Sequence, residues 1–204
     1  MGMTTPAPGR EPAPDSGLTF RPLPIPGAFA ISVRRVEDER GWFARSWSTA
    51  DLAAHGLTSV MAQSSVSYNR RAGTLRGLHY QVAPAAEAKL VTCIRGRIWD
   101  VLVDLRPDSA AFRTWYGEEL DADGTTALYL PEGLAHGFLT LTDDATILYQ
   151  ISADHDPARS RGIRWDDPTL SIAWPTTPVI MSERDRNLPE LTEALASETS
   201  AEGG

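Results

Sequence analysis

Two of the four histidines, His79 and His136, lie among apolar residues in segments typical of β-strands. His79 stands in TLRGLHYQ, and His136 stands in LPEGLAHGF, directly after a Pro-Glu-Gly turn. An imidazole can exchange a proton near neutral pH, although a lone buried histidine is more often a satisfied core residue than a functional one. Because Lys89, Arg76 and Tyr149 stand in similar strand-like segments, the set indicates a functional site.

The other two histidines carry weaker signals. His55 falls at the end of a predicted helix, where a protonated imidazole would interact favourably with the helix dipole. His155 lies in the polar stretch ADHDPARS, which predicts a solvated loop. Composition alone therefore places neither of them at a site.

Strand signals dominate the segments that carry the site residues. In RIWDVLVDL, residues 97–105, alternation places Trp99 and Val101 on one face and Asp100 and Asp104 on the other. Further strands are predicted at 89–95, 127–131, 136–142 and 145–152. Many short strands with few helices predict an all-β sandwich or jelly-roll barrel. The sequence has no Gly-rich strand-to-helix loop that would indicate a Rossmann or P-loop fold.

The turn signals predict two hairpins and one helix. Residues 95–97 (Arg-Gly-Arg) and 142–144 (Thr-Asp-Asp) have the composition of hairpin connections. Ser48 or Thr49 is suited to begin a helix as its cap, and Gly56 is suited to end it.

The length of 204 residues predicts one domain, at residues 18–189, between two flexible ends. Residues 1–17 are rich in Pro and Gly and predict a disordered arm. Residues 190–204, ELTEALASETSAEGG, predict an acidic flexible tail that frays beyond about one helical turn.

Charge and cysteine content limit the partners and the compartment. A formal net charge of −8 argues against non-specific binding to nucleic acid or to anionic membranes, although arginines can still form a local anion pocket. The single cysteine, Cys93, cannot form an intrachain disulfide, which favours a reducing compartment. Without a signal peptide or an apolar span in the sequence, we expect a cytoplasmic protein.

Two patterns around the histidines resemble the signature motifs of the cupin superfamily. The first runs from Gly73 through His79 and Glu87 to Gly96, and the second from Gly124 through Pro131 to His136. This resemblance implies a double-sheet jelly roll, the cupin double-stranded β-helix, with short peripheral helices and its site inside the barrel.

The first motif departs from that of metal-binding cupins, which present a His-x-His pair. Here the second position is Gln81, which leaves His79, His136 and Glu87 as candidate ligands. Because Gln is a poor ligand for transition metals, we expect no metal and no cofactor.

Four longer strings resemble the dTDP-4-dehydrorhamnose 3,5-epimerase family: RGLHYQ, AKLVTCIRGRIWDVLVDLRPDS, YLPEGLAHGFLTLTDDATILYQ and GIRWDDPTLSIAWP. The similarity extends from about Leu23 to Asp185. It implies a metal-independent cupin homodimer that exchanges strands between subunits. It also implies a thymidine-diphosphate 4-keto-6-deoxyglucose as substrate.

The resemblance also implies roles for four residues. His79 matches the family base, which removes a proton next to the C4 ketone, and Asp185 matches the carboxylate that orients this base. Lys89 matches the cation near the enolate oxygen, and Tyr149 matches the acid that returns a proton on the opposite face. Such a set meets the needs of epimerisation through an enolate.

The family resemblance also implies which residues bind the substrate. Arg76 and His136 match family residues near the enolate or the diphosphate, and Gln63 resembles one near the nucleotide. Arg40 matches an arginine that reaches the nucleotide from the neighbouring subunit. From the residues alone, Arg40 would form a surface salt bridge with an acidic neighbour, and Gln63 would be an ordinary polar strand residue.

Periodicity conflicts with one of these assignments. In an ideal strand, His79 and Arg76 point to opposite faces. A bulge at Arg76-Gly77 would let both side chains reach one pocket.

Two departures from the family pattern concern the substrate. Asp154-His155 occupies the place of an aromatic pair that shapes the sugar pocket in many relatives, so His155 becomes a candidate substrate contact. Arg45 stands where the family's Arg-Gly-Phe-Phe-x-Glu motif has its glutamate, which puts the identity of the nucleotide base in question.

The sequence leaves three functions open. The first is epimerisation at C3 and C5 of a dTDP-4-keto-6-deoxyhexose in deoxysugar biosynthesis. The second is a 3-only or 5-only epimerase, or a 3,4-ketoisomerase, on a related sugar nucleotide. The third is a non-catalytic sugar-nucleotide-binding cupin, against which the retained acid and base residues count.

Overall fold

The computed structural model describes residues 17–202, with side chains to residue 197. The predicted flexible arm, residues 1–17, lies outside the described residues except for Gly17.

The described chain is built mainly from strands. The strands are β1 (Leu18–Pro22), β2 (Phe29–Val33), β3 (Val36–Asp38), β4 (Gly41–Phe43), β5 (Gln63–Asn69), β6 (Leu75–Gln81), β7 (Lys89–Arg95), β8 (Arg97–Asp104), β9 (Trp115–Asp121), β10 (Thr126–Leu130), β11 (Leu134–Thr140), β12 (Ala145–Ile151) and β13 (Ser160–Gly162). The helices are α1 (Thr49–Ala54), α2 (Glu183–Arg186) and α3 (Leu191–Glu202).

Two antiparallel sheets pack face to face. The six-stranded sheet has the order β1-β2-β10-β7-β12-β5, and the five-stranded sheet has the order β13-β6-β11-β8-β9. Strands β3 and β4 form a separate two-stranded sheet. This is the predicted all-β, cupin-type jelly roll with short peripheral helices, so the expected fold class is confirmed.

Both predicted hairpins are wrong. Strands β7 and β8, joined by Gly96, belong to different sheets, and so do β11 and β12, joined by residues 141–144. These short turns are corners at which the chain crosses from one sheet to the other. Gly96 suits such a corner because its φ is +74° and a Cβ there would lie 2.4 Å from Oγ1 of Thr142.

The predicted helix is confirmed, and the predicted flexible tail is partly wrong. Ser48 caps α1, its side chain accepting a hydrogen bond from the amide of Asp51. The expected tail instead forms α3, in which Leu191 and Ala194 are buried. The Asp167 carboxylate accepts a hydrogen bond from the amide of Leu191, which satisfies one free N–H at the start of α3.

The core has layers inside and outside the barrel. Between the sheets, one apolar cluster includes Leu102 of β8 and Phe138 of β11. A second cluster, which includes Val101, packs α3 and the segment around Ile163 against the outer face of the five-stranded sheet. Alternation along β8 is therefore as predicted, and its inward face also carries the fully buried carboxylates of Asp100 and Asp104.

Candidate active site

A cavity of about 350 Å³ lies between the two sheets, next to the interior apolar cluster. This volume is within the range of small-molecule sites, roughly 300–1,000 Å³. Every predicted site residue except Arg40 and Arg45 lines it. Those lining residues are Gln63, Arg76, His79, Lys89, His136, Tyr149, His155 and Asp185.

The predicted bulge in β6 is present. The pairing of β6 with β11 shifts between His136↔His79 and Phe138↔Arg76. Gly77 makes the bulge possible, because its φ is +121° and a Cβ at this position would lie 2.5 Å from the Cα of Gly137. The shift brings Arg76 and His79 to the same cavity, although an ideal strand would separate them.

His79 forms a pair with Asp185, as predicted. Its Nε2 lies 2.7 Å from Oδ1 of Asp185, which is buried in α2. The Ser182 hydroxyl caps that helix by accepting a hydrogen bond from the backbone amide of Asp185. The backbone amide of Gly77 donates a hydrogen bond to the Asp185 carboxylate. Burial by itself raises the pKa of Asp185, but the hydrogen bond and charge of His79 outweigh burial and hold that pKa below its ordinary value.

His136 forms a second pair that the sequence did not predict. Its Nε2 lies 2.8 Å from Oδ1 of Asp100, which is fully buried. Burial raises the pKa of Asp100, and the charge of His136 opposes this rise without cancelling it. The only sequence signal for Asp100 was a carboxylate on the inward face of an otherwise apolar strand.

Lys89 and Tyr149 project into the cavity from the six-stranded sheet. Lys89 Nζ lies 2.7 Å from Oε1 of Glu87, and both side chains are largely buried. The Tyr149 ring lies edge-on to His136, with 6.0 Å between ring centroids. Burial and the negative charge of Asp100 raise the pKa of Tyr149, so its hydroxyl stays protonated at neutral pH.

Two arginines add positive charge to the cavity. The Arg76 guanidinium donates to the side-chain oxygen of the buried Asn69 at 2.8 Å. Arg184, which sequence reasoning missed, donates to the hydroxyl of Ser160 at 3.0 Å and also lines the cavity. Its position beside Asp185 in α2 was the only available signal.

Arg40 and Arg45 lie away from the cavity and are exposed. Arg40 follows β3, and its guanidinium pairs with Asp38, Nη2 lying 2.5 Å from Oδ2. This is the surface salt bridge that the residues alone predicted. Within this one chain, neither arginine joins the other site residues.

The ionisable side chains of the site form pairs with one another. The Nε2 atoms of both histidines are hydrogen-bonded to aspartates, and Glu87 is paired with Lys89. Within residues 17–202, no cluster of three or more His, Cys, Asp or Glu side chains could hold a metal ion. Among the described helices, none has the length and apolar character needed to cross a membrane.

Ionisable side chains that line a cavity inside a two-sheet jelly roll are typical of a cupin-type enzyme. Comparison with protein families narrows this class, because the family described as dTDP-4-dehydrorhamnose 3,5-epimerase matches residues 22–193. The chain belongs to that family and is an epimerase, an enzyme of the isomerase class.

Individual relatives are similar over most of their length. The chain is 38% identical over 185 residues to the dTDP-4-dehydrorhamnose 3,5-epimerase of Sinorhizobium fredii, covering 88% of this chain and 93% of the relative. It is 40% identical over 179 residues to the dTDP-4-dehydrorhamnose 3-epimerase of Streptomyces niveus, covering 87% and 86%. The crystal structure of the 3,5-epimerase from Bacillus anthracis with TDP and PPi bound has a TM-score of 0.83 and 38% identity, covering 85% and 99%.

Proposed function

We propose that this epimerase inverts C3, C5 or both in a dTDP-linked 4-keto-6-deoxyhexose, with His79 as base and Tyr149 as acid. The observation that carries the proposal is their placement. His79 belongs to the five-stranded sheet, and Tyr149 and Lys89 belong to the six-stranded sheet across the same cavity. Inversion requires a proton to leave one face of the sugar ring and another to arrive on the opposite face.

The reaction begins at a carbon next to the C4 ketone. His79 accepts the proton through the ring nitrogen that Asp185 leaves free, and the C–H electron pair moves into the ketone to form an enolate. The Lys89 ammonium, held in place by Glu87, stabilises the enolate oxygen. Tyr149 then donates its hydroxyl proton to the opposite face, and the enolate electrons form the new C–H bond.

The diphosphate needs cations, and the cavity offers Arg76 and Arg184. Guanidinium groups suit phosphate oxygens because their N–H donors form a rigid fork. We propose dTDP as the nucleotide, since the Bacillus anthracis relative is described with TDP bound. Calorimetric titration with dTDP and with UDP tests this, and tighter binding of UDP would contradict it.

We propose that two chains form a homodimer in which Arg40 of each reaches the other's cavity. Several large apolar side chains are exposed on or near the six-stranded sheet, including Val66, Ile94, Trp42 and Phe43. Such a surface is expected to be covered by a partner. Light scattering should give twice the chain mass, and Arg40→Ala should raise the KM for the sugar nucleotide. A monomer with full activity would overturn this.

We also propose a cytoplasmic location. Cys93 is a free and buried thiol, and reducing compartments keep such thiols free. Fractionation of the native cells tests this, and recovery of the protein from a secreted fraction would contradict it.

Proton NMR in deuterium oxide tests the catalytic proposal. With dTDP-4-keto-6-deoxyglucose, the enzyme should introduce deuterium at C3, C5 or both and invert each exchanged centre. Tyr149→Phe should still exchange protons through His79 but invert the centre far more slowly, because the acid is missing on the other face. Absence of exchange by the wild-type enzyme would overturn the proposal.

One alternative has a specific observation in its favour. The Streptomyces niveus relative is a 3-epimerase and is as similar to this chain as several 3,5-epimerases. A 3-only enzyme would place deuterium at C3 and leave C5 protonated in the same experiment.

A further inference from the structure

Gln81, at the position where metal-binding cupins carry a second histidine, holds a loop. The side chain is 4% exposed and uses both ends of its amide. Its Nε2 donates to the carbonyls of Ala85, at 2.9 Å, and Asp154, at 3.1 Å, and its Oε1 accepts the amide of Asp156 at 2.7 Å. Gln81 therefore fixes the backbone on both sides of His155.

Gln63 holds the same loop from the other sheet. Its Nε2 donates to the carbonyl of Ala153 at 3.0 Å. Residues 153–156 are thus attached to β6 of one sheet and to β5 of the other, which restricts the position of His155 at the cavity. The side chain of Asp156 adds a local turn by accepting the amide of Ala158.

The His155 imidazole has no partner within the described chain. It is exposed, lines the cavity, and forms no hydrogen bond or ion pair with the described residues. Its loop is attached to Gln81, which is two residues from His79 on the same face of β6. Two residues along a strand span about 7 Å, so the loop that carries His155 is attached close to His79, and both histidines line the cavity.

We infer that His155 donates a hydrogen bond to a hydroxyl of the substrate's sugar ring, and that Gln81 is the positioning residue that holds His155 there. This inference rests on the proposed function and adds a polar contact to the sugar at a known place in the cavity. An imidazole with both nitrogens unpaired can donate to one hydroxyl and accept from another. A contact of this kind favours sugars that carry a hydroxyl at that position.

Kinetics of four single variants test the inference. His155→Ala should raise the KM for the 4-keto sugar nucleotide about tenfold, the loss expected for one hydrogen bond to a ligand. His155→Asn, which keeps a donor, should lose about threefold or less. Gln81→Met, similar in length but without hydrogen-bonding groups, should raise KM as His155→Ala does. Asp154→Asn, beside His155, is the matched control and should leave KM within about twofold.

The double variant separates positioning from general structure. If Gln81 acts through His155, then Gln81→Met combined with His155→Ala should raise KM no further than His155→Ala alone. If the double variant instead shows the product of the two single-variant increases in KM, Gln81 acts independently of His155, and its assigned role is overturned. Melting temperatures of all variants establish that each is folded before its KM is compared.

Binding of dTDP alone separates the sugar from the nucleotide. A contact to the sugar predicts that His155→Ala binds dTDP as tightly as the wild-type enzyme does. Equal weakening for dTDP and for the sugar nucleotide would assign His155 to the diphosphate and overturn the inference. If the wild-type enzyme exchanges no sugar proton, the proposed function fails. If it exchanges and the His155 variants keep the wild-type KM, only this inference fails.

Discussion

The two His–Asp pairs of the cavity have hydrogen bonds of nearly equal length but different surroundings. His79 lies 2.7 Å from its aspartate and His136 lies 2.8 Å from its own. The His79 side chain is 36% exposed, whereas that of His136 is 6% exposed. The two histidines are direct partners in the pairing of β6 with β11, so this difference arises between adjacent positions.

The pKa values of the two aspartates are shifted in opposite directions. Asp185 has a pKa below its ordinary value, since hydrogen bonds and the charge of His79 outweigh its burial. Asp100 has a raised pKa because it is fully buried, and its Oδ2 has no hydrogen-bond partner among the described atoms. An accessible pair with an ionised carboxylate suits proton transfer. A buried pair is suited to forming a rigid, polar part of the cavity lining.

The largest expected effect distinguishes the two histidines. His79→Asn should reduce deuterium exchange on the order of 10³-fold, because general-base catalysis contributes that much. His136→Asn should raise KM about tenfold, as loss of one substrate hydrogen bond does. NMR exchange rates and initial-rate kinetics measure both variants. Equal losses in exchange rate would show that the two pairs share the base function.

The next effect concerns the partner of the base. Asp185→Asn should lower kcat on the order of 10²-fold, because His79 loses the carboxylate that orients it and stabilises its protonated form. KM should change little. Asp166→Asn is a matched control, since Asp166 also has a lowered pKa but pairs with Arg164 on the surface. A similar kcat for both variants would contradict the role of Asp185.

A smaller effect appears in the stability of the two pairs. Because the pKa of Asp185 is lowered in the folded state, this carboxylate stabilises the fold at any pH above its ordinary pKa. That stabilisation is lost as pH falls through the folded-state pKa. The raised pKa of Asp100 gives the opposite pH dependence. Its contribution to stability is fully present below about pH 3.8 and is lost as pH rises through the folded-state pKa.

Melting temperatures from pH 3 to 8 measure these contributions. Asp185→Asn should weaken the loss of stability on the acid side, and Asp100→Asn should weaken the decline above pH 4. Each change should amount to about 2–4 °C for about 1 kcal/mol in a chain of this size. Parallel curves for the two variants would contradict the opposite pKa shifts.

The smallest expected effect is that of metal removal. Because the described residues contain no cluster of three or more His, Cys, Asp or Glu side chains that could hold a metal ion, dialysis against EDTA should leave the exchange rate within about twofold of the untreated enzyme. Added iron or zinc should not increase it. Loss of activity with the chelator and recovery with iron would indicate a metal-dependent cupin instead.

The fold class was predictable because strands and turns leave local signals. Alternation in residues 97–105 and the cap at Ser48 both predicted the elements that form. The hairpin at Gly96 was wrong because a tight turn does not reveal which sheet the next strand joins. That choice depends on distant partners, since β7 pairs with β10 and β12 rather than with β8.

The site was predictable to a similar extent. The resemblance to a family named His79 and Asp185, 106 positions apart in sequence, and the structure places them in hydrogen-bonding contact. Asp100 was missed because a buried carboxylate on an inward face looks the same in sequence as one facing solvent. The helix α3 was missed because its acidic composition concealed the spacing of Leu191, Ala194 and Leu195, which pack on the outer core cluster.

The corners between the sheets also affect how the enzyme is made. From β5 to β13 the chain changes sheet at every step except β8 to β9, so neither sheet can be completed before the other has begun. Contacts between distant segments slow folding, and barrels dominated by them fold in milliseconds to seconds. During that time the strand edges are exposed to other nascent chains. The proposed base and acid therefore meet only when the whole barrel closes, and a fragment containing one sheet would carry neither the pocket nor a stable edge.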